Sequence, residues 1–529
     1  MPFPGRISVR VRRLRPVAAL LALALAAGCS GGSEGAEDGK APHTSREPSA
    51  SGPAPGGGPG KSAALPGGLT GQKLDWGRCK ATGDGPAPGS AWQCATLTAP
   101  LDYTEPGGGT IDLALVRKKA TDRDRRTGSL LFNFGGPGGS GIAGLPPAES
   151  LFSALNSRYD LVSFDPRGVA ASSGVRCRSD RDLDQAGAHV DLTPDTAAER
   201  KAYFEDAADF GAGCASRSGR VLPHIGTSNT ARDMDLMRQV LGDKKLHYFG
   251  FSYGTELGGT YAHLFPKNVG RMVLDGVVDP TADAVGHAKN QTTGFQRALD
   301  NYLKSTGKDP GRGTRDLVAL LDRIDRKPLP GAGGRRLTES QALTGILASL
   351  YSRQSWPTLT EALADARDGK GAALLSLADG YNDRDRSGRY GTQSHSQRSI
   401  SCADAKNRPT PAQAEAGLPE FRKISPVFGD FLGWDTAGWC HDWPVPGEHD
   451  TPEVSAPGAA PILVVGTTGD PATPFEGAAR MAKELGVGVR LVHEGEGHTA
   501  YFSGDACVTS TVDGYLLDGK VPDDGKTCS

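Results

Sequence analysis

The chain has 529 residues, of which 73 are glycine and 37 proline, with 37% apolar residues, 23% charged residues and a formal net charge of −2. This composition excludes a membrane bundle, a collagen-like repeat and a wholly disordered chain, because distinct apolar runs survive among the glycines. Arg6, Arg10, Arg12, Arg13 and Arg15 open the chain without a single acid, so the remainder is mildly acidic, which argues against nucleic acid or an anionic membrane surface as partner.

In chain order, the basic head leads into the apolar run Val17–Ala27. As a helix this run would extend about 16 Å, short of a hydrocarbon core of about 30 Å. It is expected to be a secretory signal peptide over residues 1–28. Leu25-Ala-Ala-Gly-Cys29 resembles a bacterial lipobox with Cys29 as the lipidated residue, although Ala26 stands where Leu is commoner. The alternative is cleavage after a small-residue pair and a soluble product. Either way the chain is expected to be exported, as a cell-surface lipoprotein or an extracellular protein, with membrane contact only through a lipid anchor. Residues 29–68 are mostly Gly, Ser, Pro and Ala and are expected to form a disordered tether.

Eight cysteines follow Cys29, an even number that reads as disulfides in an exported chain. Proximity favours Cys79 with Cys94, Cys177 with Cys214, Cys402 with Cys440, and Cys507 with Cys528.

Beyond the tether, Thr110 to Val116 alternates as a strand. Gly128 to Phe134 is a short apolar run that ends in Gly135-Gly-Pro-Gly-Gly-Ser-Gly141. Tyr159 to Asp165 is a second run, ending in Pro166-Arg-Gly168. The spacing predicts a helix over 230–241 with Asn229 or Thr230 as cap. A strand over Leu246 to Phe251, a helix from Ser252 to about Phe265 and a strand over Arg271 to Asp275 follow. From Pro280 to about Pro457 the pattern is mainly helical. Strands return at Pro461 to Gly466 and Val489 to His493, with helical stretches near 474–485 and 505–516. Apolar strands alternating with helices predict an α/β fold with a mostly parallel sheet covered on both faces.

Gly250-Phe-Ser252-Tyr-Gly254 is a G-x-S-x-G motif. The same pattern at Gly31-Gly-Ser-Glu-Gly35 lies in the tether, so context decides between them. Ser252 follows a strand and opens a helix, as a nucleophile elbow does. The α/β-hydrolase fold this implies has residues 69–280 as the first part of the core, 281–457 as a helical cap insertion with its return segment, and 458–529 as the second part. A serine nucleophile needs a base, and the base an orienting carboxylate, in the chain order Ser, acid, His. Asp470 follows the strand at 461–466, and His498 follows the last strand. Asp275, Asp442 and His493 are rivals. A developing oxyanion needs donors, expected from the backbone N–H of Tyr253 and from the glycine loop 135–141. No Gly-Lys-Ser/Thr follows that loop, which argues against a phosphate cradle. No metal is expected, because glycines separate His493 from His498 and no third ligand is evident. No cofactor is expected.

Asn133-Phe-Gly-Gly-Pro-Gly-Gly-Ser140, Asp165-Pro-Arg-Gly168, Gly250-Phe-Ser-Tyr-Gly-Thr255, Leu274-Asp-Gly-Val-Val-Asp279, Ser401-Cys-Ala-Asp404, Asp470-Pro-Ala-Thr-Pro474 and Gly497-His498 together resemble the secreted tripeptidyl aminopeptidases of actinomycetes, in the prolyl-aminopeptidase group of serine α/β-hydrolases. The resemblance spans about residues 75–528. It implies an exopeptidase that releases short N-terminal peptides through an acyl-enzyme, with Ser252 as nucleophile, Asp470 as orienter, His498 as base, and Gly136 and Tyr253 at the oxyanion positions. Its substrate would be a peptide or protein with a free N-terminus. In this group the contact to the substrate amine tends to come from the cap, where Asp404 is a candidate. Two departures are Phe134, where relatives often have Pro or His, and Val169-Ala-Ala-Ser-Ser, which replaces a glycine-containing sequence. An esterase on the same triad and a non-catalytic peptide-binding lipoprotein are the alternatives.

Overall fold

A computed structural model describes residues 64–81 and 87–529. The signal segment, Cys29 and most of the tether lie outside the described residues. The strands are β1 (Gly77–Arg78), β2 (Trp92–Pro100), β3 (Thr110–Lys118), β4 (Gly128–Asn133), β5 (Tyr159–Phe164), β6 (Leu246–Phe251), β7 (Val269–Asp275), β8 (Leu329–Pro330), β9 (Arg336–Leu337), β10 (Ile462–Gly469), β11 (Gly488–Glu496) and β12 (Lys526–Cys528). Among the described residues ten of them form one sheet in the order β1-β2-β3-β5-β4-β6-β7-β10-β11-β12, and β8 and β9 form a separate hairpin. The pairs from β1 to β5 are antiparallel. From β5 through β12 every neighbouring pair is parallel.

The parallel strands are apolar because both faces are covered, and β4 and β5 are buried at every residue. Met234, Leu257, Tyr261 and Met481 pack on one face. Phe152, Phe249, Tyr501 and Val512 pack on the other. The strand ends are level, since Asn133 pairs with Gly250, Phe251 with Asp275, and Asp275 with Val465. The strand order reverses at β4, whose neighbours are β5 and β6. Such a reversal opens a crevice at the C-terminal edge of a parallel sheet. The glycine loop after β4 and Ser252 after β6 both emerge there.

Between β7 and β10 the chain is mainly helical. The helix Pro310–Arg326 shows why: Asp309 caps it, Pro310 occupies its first turn, and Leu317, Leu320, Leu321 and Ile324 form the buried stripe. The core of this helical layer also takes in Val190, Leu192 and Tyr203 from the chain before β6. Conversely, Ile400, Cys402, Ala403 and Cys440 pack into the core beside the sheet. The packing layers therefore interleave along the chain instead of following contiguous stretches.

The helix expected over 230–241 instead spans Thr227–Val240. The Thr227 N–H donates to Asp404 Oδ1 at 2.8 Å, so a carboxylate 177 residues away satisfies the first turn. Disulfides join Cys79 to Cys94, Cys177 to Cys214, Cys402 to Cys440 and Cys507 to Cys528. No helix among the described residues is long and apolar enough to cross a membrane.

Candidate active site

Ser252 sits between β6 and the helix Tyr253–Leu264 with φ 56° and ψ −125°, a left-handed conformation that costs a non-glycine residue on the order of 1–3 kcal/mol. The Ser252 N–H donates to the Asp275 carbonyl at 2.9 Å, which ties the elbow to β7. The turn allows no side chain at Gly254, where a Cβ would lie 2.8 Å from the Asn133 carbonyl oxygen. Ser252 is thus fixed with its backbone strained and its side chain at the sheet edge.

The glycine loop crosses directly over this elbow. A Cβ on Gly135 would lie 2.6 Å from the Phe251 carbonyl oxygen and 2.9 Å from the Ser252 Cβ, and Gly135 has φ +92°. Asn133 Oδ1 accepts the Gly135 N–H at 3.0 Å. Asp165 holds the far end of the loop, accepting from Ser140 Oγ at 2.6 Å and from the Ile142 N–H at 3.2 Å. Gly136 and Tyr253 line the same cavity as Ser252.

Asp470 lies just past β10 and is fully buried. Its carboxylate accepts the N–H groups of Ala472, Thr473 and Thr499 and the Thr473 hydroxyl, and both its oxygens lie 2.9 Å from His498 Nδ1. It caps no helix, since the next one begins at Glu476 without a side-chain cap. His498 Nε2 is buried and makes no hydrogen bond among the described residues. The ring's Cε1 lies over Gly276, the residue after the carbonyl that holds Ser252. From the helical layer, the Tyr351 carbonyl accepts the His498 N–H at 2.8 Å, and the Tyr351 ring meets the imidazole edge-on at 5.5 Å.

The rivals have other places. His493 is buried with Nδ1 3.4 Å from Thr467 Oγ1, and Asp442 is a largely exposed neighbour of His441. Asp275, however, lies beneath the histidine loop. Its carboxylate accepts the N–H groups of Ala500 and Tyr501 at 2.8 Å each, and burial raises its carboxyl to about 6 against the lowering effect of these bonds.

A cavity of about 260 Å³ opens above Ser252 between the sheet edge and the helical layer. Its wall carries six carboxylates (Glu256, Asp279, Asp283, Asp404, Asp435 and Asp450) against one guanidinium, Arg408. Arg408 is engaged by the carbonyls of Cys402 and Val445, at 2.7 Å each. Asp404 is in the wall, with Oδ1 accepting the Thr227 N–H and Oδ2 the Thr227 hydroxyl, which also bonds the Tyr253 hydroxyl. Glu256 and Asp435 are further acids of the cavity that the sequence motifs do not single out. Glu256 follows Ser252 at i+4, a helical spacing that could have flagged it.

Residues 425–528 match the family model described as TAP-like protein, and residues 128–319 match that of the alpha/beta hydrolase fold. The chain is similar to the serine protease Hip1 of Mycobacterium tuberculosis, at 38% identity over 87% of this chain and 91% of that protein. It is similar to a carboxylesterase B of the same organism, at 36% identity over 83% of this chain and 86% of that one. A tripeptidyl aminopeptidase of Streptomyces lividans is 31% identical over 86% of each chain.

Proposed function

The chain belongs to the TAP-like family of serine α/β-hydrolases and is a serine peptidase by that kinship, and from this premise we propose that it is an exported exopeptidase that releases short peptides, tripeptides by its resemblance to the actinomycete enzymes, from free N-termini. Ser252 Oγ attacks the scissile carbonyl and gives its proton to His498 Nε2, the imidazole being oriented by Asp470. The N–H groups of Tyr253 and Gly136 receive the oxyanion. His498 then returns the proton to the leaving amine, which departs as the shortened chain. The N-terminal fragment remains on Ser252 as an ester until water, deprotonated by His498, releases it.

The observation that carries this reading is the acidic cavity above a strained serine. A cavity of this sign suits a cationic N-terminus, and its volume of about 260 Å³ suits a short peptide. Export is supported by the four disulfides, and a mass measurement of the mature N-terminus tests lipidation of Cys29.

A fluorophosphonate probe is expected to label the native protein, with labelling lost in Ser252→Ala. Absence of labelling in the native protein would favour a non-catalytic peptide binder. An unblocked tripeptide anilide is expected to react at least tenfold faster than its N-acetylated form. Equal rates would sink the free-amine requirement. The carboxylesterase relative keeps a second reading alive, and faster turnover of short acyl esters than of any peptide would favour it.

A further inference from the structure

The proposed requirement for a free N-terminus implies a group that reads the α-ammonium. Glu256 stands four residues beyond Ser252, about 6 Å further along the axis of the helix Tyr253–Leu264. Its carboxylate opens on the cavity while the surrounding protein excludes bulk water. It accepts no hydrogen bond and meets no cation among the described residues, an expensive condition for a buried charge. Its neighbours are themselves acidic. Asp404, on the helix Gln393–Asp404, feels the charges of Glu256 and Glu448. His449 lies beside Asp404 and Glu448, with one ligand-type atom of each residue within 4.8 Å of the others, and its Nε2 has no partner. Tyr253 reaches Asp404 through Thr227. The nearest guanidinium in the wall, Arg408, is spent on backbone carbonyls.

We infer that Glu256, with Asp404 beside it, receives the α-ammonium of the substrate and makes the enzyme selective for unblocked peptides. This rests on the aminopeptidase reading and assigns the discrimination to a residue on the nucleophile's own helix. An ammonium supplies the countercharge and the donors that Glu256 lacks, and Asp404 takes a share of the same charge. Burial raises the Glu256 carboxyl to about 7, and it raises Asp404 well above the ordinary carboxylate range, the Glu256 charge adding to it. Ionisation of Glu256 therefore strengthens amine binding as pH rises through about 7. Binding weakens again as the peptide amine loses its proton near about 8.

The test is the ratio of kcat/KM on an unblocked tripeptide anilide to that on its N-acetylated counterpart, followed with pH. In the native enzyme the ratio should pass through a maximum between about 7 and 8. In Glu256→Gln it should fall about 10- to 100-fold, through KM, and lose its rise near 7. Glu256→Asp, which keeps the charge on a shorter arm, should give an intermediate ratio, and it carries the test if the amide variant does not fold. A native enzyme that treats both substrates alike overturns the aminopeptidase reading itself. A native enzyme that discriminates, with Glu256→Gln discriminating equally, overturns this assignment alone. Loss of discrimination on dialysis against EDTA, restored by zinc or calcium ions, would overturn it in favour of a metal at Asp404, Glu448 and His449.

Discussion

At the scale of single residues, the site depends on acids whose tasks differ by what surrounds them. Asp470 is saturated with donors and faces the imidazole. Asp275 never touches the imidazole, yet its carboxylate fixes the backbone two and three residues beyond His498. An amide at this position would turn one N–H group against another. Asp275→Asn is therefore expected to lower kcat about 10- to 100-fold with little change in KM, since one backbone donor loses its partner at a cost of about 1–3 kcal/mol. Single-turnover kinetics would check it. An unchanged kcat would show that the histidine loop is held by the Tyr351 carbonyl and Asp470 alone.

At the scale of elements, the loop after β4 and the elbow after β6 are fitted to each other. Gly135 must come within contact of Phe251 and Ser252, and Asp165 after β5 pins the loop through Ser140 and Ile142. Three adjacent strand ends thus meet around the position proposed for the oxyanion. Gly135→Ala would place a Cβ 2.6 Å from the Phe251 carbonyl oxygen at a positive φ. It is expected to lower kcat about 10²- to 10³-fold, as loss of an oxyanion donor does. Far-UV circular dichroism would stay native. Full activity would mean that the loop does not supply that donor.

At the scale of the whole molecule, Arg167 of the Asp-Pro-Arg-Gly element serves the fold. It is fully buried, donates to both oxygens of Asp233 at 2.7 and 2.6 Å, and bonds the carbonyls of Pro100, Leu101 and His224. It thereby ties the end of β2 to the helix Thr227–Val240. Arg167→Met, which leaves the buried Asp233 without its countercharge and with the Tyr103 hydroxyl as donor, is expected to cost about 3–5 kcal/mol, read by urea unfolding. A loss below 1 kcal/mol would contradict this account. Adding Asp233→Leu should recover part of the loss, the carbonyls and the Tyr103 hydroxyl remaining unpaired.

Local patterns in the chain specify the parallel sheet and the elbow, because short apolar runs and glycine punctuation are signals of backbone geometry. Leu246 to Phe251 was legible to the residue, since its strand is buried on both faces. The order of Ser252, Asp470 and His498 was legible for the same reason, each lying just past a strand end. The helices Asp180–His189 and Ala197–Ser218 carry a local signal too, in the capping boxes at Ser179 and Thr196. Other features were absent from any local pattern. The start of the helix at Thr227 depends on Asp404, 177 residues away. The support of His498 by Tyr351 and Asp275 depends on elements that meet only when the helical layer closes on the sheet. The acidity of the cavity was likewise decided by tertiary structure. Acids from the nucleophile helix and from distant helices and loops come to share one cavity wall only once the chain has folded.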